Sequence, residues 1–133
     1  GQGDKSEPEY SLTGESTLDM EKITELREDL EERFDAVIHS FQSGLTERLG
    51  TIHEAVQEEQ AGRLVDAAHS LKGICAQFGL QRMRRLASAL EVAGRSGNLQ
   101  DGMRLIGQLQ REAGLAREAL QAFCKSSCEG RCR

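Results

Sequence analysis

The chain has 133 residues and a mass of 14.7 kDa, enough for one ordinary domain and too little for two. Hydrophobic residues make up 38% and charged residues 29%, which is typical of a globular protein, and the net charge of −5 argues against nucleic-acid binding. One Pro, one Tyr and no Trp disfavour a sandwich or barrel of short strands. No uncharged stretch is long enough to span a bilayer, so we expect no membrane contact.

The two ends of the chain differ from its middle. Residues 1–18 are polar and contain the only proline, so we expect a disordered linker or added leader. Because the chain starts at Gly1 rather than Met, we expect a domain excised from a longer protein. Residues 124–133 form a tail in which three cysteines recur every four residues, namely Cys124, Cys128 and Cys132.

The first predicted helices follow the leader. Thr17 or Asp19 can cap a short helix. Apolar residues then recur every three or four positions over residues 26–56, which is the spacing of one helix face. We expect a short helix followed by a long one, with the break near residues 28–32.

Three more amphipathic helices are predicted. One covers residues 63–78 and ends at Gly79, where a left-handed cap is expected. The next ends at Gly94 and Gly97, which we interpret as stop signals, and the last begins near Asn98. The apolar face of the last helix comprises Leu99, Met103, Ile106, Leu109, Ala113, Ala116, Leu120 and Phe123. The pattern predicts an all-α fold, an antiparallel up-down four-helix bundle over residues 19–123 with a short additional N-terminal helix.

The helix over residues 63–78 carries a histidine on its polar side. His69 falls about 155° from the middle of the apolar arc, so we expect it to be exposed. Lys72 and Gly73, at i+3 and i+4, are its neighbours on the helix surface. A neutral imidazole is a nucleophile near neutral pH, and a lysine beside it can support an incoming phosphoryl group. Gly73 costs about 0.5–1 kcal/mol relative to Ala, which indicates a need for clearance. The spacing alone predicts a reactive or docking face.

The segment AHSLKGICAQFGL, residues 68–80, resembles the signature of histidine-containing phosphotransfer (Hpt) domains. The family pattern is a His followed by Leu, Lys and Gly at +2, +3 and +4 and a Gly at +10, which here are His69, Leu71, Lys72, Gly73 and Gly79. Residues 23–41 and the Leu90–Glu91 pair, with the Gly-rich end of its helix, are also similar to the family. Ile74 and Cys75 stand where small residues are common.

The resemblance implies a phosphocarrier that is not an enzyme. His69 would accept a phosphoryl group from an aspartate of one receiver domain and pass it to another, with Lys72 supporting the phosphoryl group and Gly73 giving the partner access. The chain would need no cofactor, since Mg²⁺ belongs to the receiver's acidic pocket. We expect a cytoplasmic monomer, the C-terminal domain of a hybrid sensor histidine kinase whose parent chain could be anchored in the inner membrane.

Two alternatives accompany this interpretation. The dimerisation helix of a histidine kinase typically has an acidic residue directly after the His and a nearby Pro, whereas here Ser70 follows and no Pro is near. A non-transferring helical interaction module that binds a signalling partner through the same face is the alternative function. Phosphate that appears on the chain after mixing with a phosphorylated receiver would separate the two functions.

The cysteines fit simpler roles. Cys75 falls within the apolar arc, so we expect a small core residue. The spacing of the three tail cysteines matches none of the common zinc patterns, and Gly130 is expected to break the helix between the last two. We therefore expect a tail with incidental thiols rather than a metal or redox site.

Overall fold

The computed structural model describes the backbone of residues 10–131 and the side chains of residues 10–126. Within these residues the regular structure is helical and contains no strand, which confirms the predicted all-α class. The α-helices are α1 (Met20–Leu30), α2 (Phe34–Gln57), α3 (Ala61–Phe78), α4 (Gln81–Ser96) and α5 (Leu99–Arg131).

Helices α2 to α5 form the predicted antiparallel bundle. Consecutive helices pack against each other through short connections, and α5 closes the ring by packing on α2. Phe34 at the start of α2 meets Phe123 near the end of the described part of α5, with ring centroids 5.8 Å apart. The additional helix α1 packs on α2 and α3. A single 3₁₀ turn, Glu31–Arg33, joins α1 to α2 and lies at the predicted break.

Several helix ends carry the caps that their residue types predict. Asp19, rather than Thr17, caps α1, and its side chain accepts hydrogen bonds from the backbone N–H groups of Glu21 and Lys22. Gly79 ends α3 with a φ of 73°, a left-handed conformation that glycine adopts without strain. Asn98 precedes α5 and accepts a hydrogen bond from the Asp101 backbone N–H at 3.0 Å.

Gly94 is a packing residue, and the prediction that it stops the helix is wrong. Helix α4 continues past it to Ser96 and ends at Gly97, whose φ is 74°. A Cβ atom on Gly94 would lie 2.8 Å from the Val65 side chain and 3.2 Å from the Ala61 carbonyl oxygen. The glycine therefore lets α3 and α4 approach closely.

The hydrophobic core runs through the centre of the bundle. In the first turns of α5, the residues that contribute to the core differ from those predicted. Met103 is 49% exposed, whereas Leu105 is 1% exposed. Gly102 lies against α2, since a Cβ atom there would stand 3.3 Å from Val56. The buried face of α5 therefore begins with Gly102, Leu105 and Ile106 rather than with Met103.

Residues 10–18 lie against α4 and α5 and are not the unstructured leader expected from their composition. Leu12 is 5% exposed. The buried Gln108 side chain accepts a hydrogen bond from the Tyr10 backbone N–H at 3.0 Å and donates one to the Tyr10 carbonyl at 2.8 Å. Side chains distant in sequence thus satisfy the backbone of this segment. Residues 1–9 lie outside the described residues.

The C-terminal tail is helical as far as it is described. Helix α5 continues through Gly130 to Arg131, so the expected break at Gly130 is wrong. Cys124 is half-buried, while the Cys128 side chain and all of Cys132 lie outside the described residues. Among the described residues no group of three His, Cys, Asp or Glu side chains could hold a metal ion. No described helix has the length and apolar character needed to cross a membrane.

Candidate functional site

His69 lies midway along α3 on the solvent side of the bundle, as the helical wheel predicts. Its side chain is 67% exposed, while the opposite face of α3 is buried. Cys75 belongs to that buried face, and burial raises the pKa of its thiol to about 12. The thiol is therefore protonated at neutral pH, and Cys75 serves as a core residue.

The imidazole of His69 contacts a buried carboxylate from α4. His69 Nδ1 lies 3.1 Å from Oε2 of Glu91, whose side chain is 7% exposed. The same Oε2 accepts a hydrogen bond from the Arg95 guanidinium at 2.7 Å. On the other oxygen, Lys72 Nζ forms an ion pair with Glu91 Oε1 at 2.8 Å. Glu91 thus joins His69 to two permanent cations.

These cations keep Glu91 ionised. Contact with Lys72, then with Arg95, and to a smaller extent with His69, lowers the pKa of Glu91 from 4.5 to about 2, although burial acts in the opposite direction. A carboxylate in the interior needs such partners because an unpaired buried charge is strongly destabilising. At neutral pH Glu91 is therefore a hydrogen-bond acceptor without a proton.

An ionised Glu91 determines which ring nitrogen of His69 carries hydrogen. Because a carboxylate can only accept, the short contact requires Nδ1–H to donate to Glu91 Oε2. The neutral ring then has its lone pair on Nε2. Since the side chain is 67% exposed, the arrangement presents an oriented nitrogen nucleophile on the protein surface.

Gly73 lies one turn after His69 on the same exposed face. A Cβ atom at this position would meet no atom within 4 Å outside its own helical turn. No contact inside the domain therefore requires glycine here, although glycine destabilises a helix interior by about 1 kcal/mol relative to Ala. The absence of a side chain leaves open space beside the imidazole.

Basic side chains flank this surface. Arg48 of α2 donates a hydrogen bond to the Ser70 hydroxyl at 2.8 Å, on the side of α3 opposite to Lys72 and Arg95. The protein as a whole has a net charge of −5, so the positive charge is local. Such a patch favours the approach of an anionic group.

The structure brings His69, Lys72 and Arg95 together on Glu91. The sequence pattern assigns no role to Arg95 and includes Glu91 only as part of the Leu90–Glu91 pair. A signal was present, because Glu91 lies four residues after Ala87 on the buried stripe of α4. A charged residue on a buried stripe needs a partner, and Arg95 at i+4 is within reach of it.

Sequence comparison identifies the family. A family model described as the Hpt domain matches residues 21–123, which is more than half of the chain. The chain therefore belongs to the Hpt domain family, as its motif predicts. Hpt domains are phosphocarriers and not kinases, and they carry out histidine phosphotransfer in phosphorelays. Members of the family interact with receiver domains.

A solved structure supports the same assignment. The chain is similar to histidine-containing phosphotransfer protein B (HptB) from Pseudomonas aeruginosa PAO1, with a TM-score of 0.79 and 29% sequence identity. The match covers 83% of this chain and 96% of that chain. No curated protein sequence matches this chain.

Proposed function

We propose that His69 is the phosphoacceptor of a phosphocarrier domain. It takes a phosphoryl group from an aspartate of one receiver domain and delivers it to an aspartate of another. The observation that carries the proposal is the exposed imidazole whose Nδ1–H is held by the buried, ionised carboxylate of Glu91. This contact orients the ring and leaves Nε2 as the nucleophile.

The proposed transfer needs no proton movement on this chain. The lone pair of His69 Nε2 attacks the phosphorus atom of the receiver's aspartyl phosphate. An N–P bond forms while the bond between phosphorus and the aspartate oxygen breaks, and the aspartate leaves as a carboxylate. Nδ1 keeps its hydrogen, so the phosphorylated ring carries a positive charge that Glu91 balances. Delivery to the second receiver is the reverse of this step.

The remaining parts of the reaction belong to the partners. Mg²⁺ is bound in the acidic pocket of each receiver domain, and this chain brings only the nucleophile and its supporting residues. One of the receivers belongs to a hybrid sensor histidine kinase. The domain acts as a cytoplasmic monomer, and its net charge of −5 fits a protein partner rather than a nucleic acid.

Lys72→Ala is expected to slow phosphotransfer by about tenfold, which corresponds to ~1.4 kcal/mol of barrier. The ammonium lies one turn from His69 and can turn from Glu91 to the phosphoryl oxygens. Solvent around the half-buried side chain limits the effect. The fold should persist because Glu91 keeps Arg95. Quench-flow measurement of label transfer from a phosphorylated receiver gives the rate, and a native rate would reduce Lys72 to an ordinary surface residue.

Gly73→Gln is expected to melt no lower than the parent protein yet to transfer phosphate poorly. Glutamine is a better helix former by roughly 0.5–1 kcal/mol, and no atom within 4 Å would obstruct its Cβ. The new side chain would occupy the space one turn from His69 into which a receiver must bring its aspartate. Thermal unfolding and label transfer, measured on the same sample, check both effects.

Gly94→Ala is the matched control for the Gly73 variant. Its Cβ would lie 2.8 Å from Val65, so it is expected to destabilise the domain by about 1–3 kcal/mol. Opposite stability changes at the two glycines would separate a docking glycine from a packing glycine. A Gly73→Gln protein that unfolds early but transfers at the native rate would show that Gly73 serves packing.

Mixing the chain with a phosphorylated receiver tests the proposed function itself. Phosphate should appear on this chain, and the bond should be labile in acid and stable in base, as expected for phosphohistidine. A non-transferring interaction module would bind the receiver through the same face without taking up label. Binding without label would therefore contradict the proposal.

A further inference from the structure

Glu91 contacts three basic side chains with its two carboxylate oxygens. His69 Nδ1 and the Arg95 guanidinium share Oε2, at 3.1 and 2.7 Å, and Lys72 Nζ lies 2.8 Å from Oε1. Lys72 is therefore engaged with Glu91 when His69 is unphosphorylated. To support a phosphoryl group on His69, Lys72 has to leave a carboxylate whose side chain is 7% exposed.

Arg95 is the cation that Glu91 keeps when Lys72 moves. It lies four residues after Glu91 on α4, so the pair is formed within one helix turn and does not depend on the α3–α4 spacing. Its position on Oε2 also places it beside the acceptor of the His69 hydrogen bond. If both Lys72 and Arg95 are absent, the buried carboxylate of Glu91 takes up a proton more readily and binds the Nδ1–H of His69 more weakly.

We propose that Arg95 is a positioning residue for phosphotransfer, which holds Glu91 Oε2 on the Nδ1–H of His69 and frees Lys72 to move to the phosphoryl group. The inference rests on the proposed function of His69. Arg95 acts through Glu91, and its own side chain is 64% exposed. It therefore differs from a core residue, whose loss would act through the stability of the fold.

The first test reads the state of His69 without phosphate. Two-bond ¹H–¹⁵N spectra at a pH where the imidazole is neutral distinguish the Nδ1–H from the Nε2–H tautomer. Lys72→Ala, which leaves Arg95 on Glu91, should keep the Nδ1–H form. In the double variant Lys72→Ala with Arg95→Gln, the ratio of Nδ1–H to Nε2–H should fall by about tenfold, the scale of one lost hydrogen bond to a charged group. An unchanged ratio in the double variant would overturn the proposal.

The second test measures transfer from a phosphorylated receiver. Arg95→Gln should slow transfer by about tenfold, as Lys72→Ala does, because the remaining Lys72 is then retained by Glu91. Arg95→Lys should restore most of the rate, since an ammonium at i+4 still reaches the carboxylate. Arg63→Gln removes the same charge from an exposed ion pair between Arg63 of α3 and Glu54 of α2, and it should leave the rate unchanged.

The comparison of Arg95→Gln with Arg95→Lys remains decisive even if the double variant does not fold. Equal rates for Arg95→Gln and Arg63→Gln would overturn the proposal. Failure of the proposed function has a different signature, since the parent protein would then take up no label on His69. The tautomer ratios can be measured in either case.

Discussion

His69→Gln is expected to take up no phosphate from a phosphorylated receiver while folding as the parent protein does. Glutamine is polar and can still donate an amide hydrogen to Glu91, but it lacks a nucleophilic ring nitrogen. The His69 side chain is 67% exposed, so the change in unfolding free energy should stay within about 0.5 kcal/mol. Label on the chain and urea unfolding are the two measurements.

His39→Gln is the matched control for this experiment. His39 is exposed on α2, so the substitution removes an imidazole from the surface without touching α3 or α4. This variant should take up label at the native rate. Label on the His69→Gln protein would mean that another residue accepts the phosphoryl group.

Glu91→Gln is expected to impair both stability and transfer at neutral pH. The uncharged amide leaves Lys72 and Arg95 beside a buried group that no longer balances their charge, which should cost about 1–3 kcal/mol of unfolding free energy. The amide also accepts the His69 hydrogen bond more weakly, and loss of such an orienting partner typically reduces activity about 10–100-fold. Urea unfolding and quench-flow transfer at pH 7 measure the two effects.

The stability difference between the parent and Glu91→Gln should depend on pH in one direction. The folded protein lowers the pKa of Glu91 from 4.5 to about 2, chiefly through Lys72 and then Arg95. The carboxylate therefore stabilises the fold fully above about pH 4.5, and this stabilisation is lost as the pH falls towards about 2. The two proteins should differ most at neutral pH and converge in acid.

Glu54→Gln provides the control for Glu91→Gln. Glu54 pairs with Arg63 on the surface, and its side chain is 53% exposed. Its loss should change the unfolding free energy by less than about 1 kcal/mol. Similar costs for the two glutamates, or a Glu91 difference that widens in acid, would contradict the assigned role of Glu91.

Much of the fold could be predicted because helices are local structures. The spacing of apolar residues determines which face of a helix is buried, so the exposure of His69 followed from α3 alone. Caps are also local, and Asp19 and Gly79 lie where their chemistry requires. The Met103 prediction failed because the spacing did not distinguish it from Leu105, which the packing of α5 on α2 buries instead.

The partners of His69 could not be predicted because they depend on how two helices align. The sequence shows that Glu91 lies on the apolar stripe of α4. Whether Glu91 contacts His69 or another residue depends on the axial register between α3 and α4, the level at which the two helices are aligned. That level depends on the close approach at Gly94, which was interpreted as a helix stop. Gly94 and Gly97 differ in the residues that surround them in the folded structure, and the local sequence does not show those neighbours.

The segment over residues 10–18 shows the same limit. Its polar composition predicted disorder, yet Arg82 donates to the carbonyls of Leu12 and Glu15 while its guanidinium is held by the buried Glu112. Arg82 and Gln108, which contact the segment directly, lie about 70 to 100 positions away along the chain. Glu112 of α5 contributes indirectly because it holds Arg82. The composition of the segment therefore could not predict its order, because the side chains that hold it come from distant parts of the chain.

The position of the phosphoryl group on the phosphorylated chain tests the central claim most directly. After transfer from a receiver, ¹H–¹⁵N and ³¹P NMR spectra of ¹⁵N-labelled protein identify the nitrogen bonded to phosphorus. The structure predicts one N–P bond, at Nε2 of His69, with hydrogen retained on the Nδ1 that donates to Glu91. Phosphorus bonded to Nδ1 of His69, or to any other residue, would contradict the account.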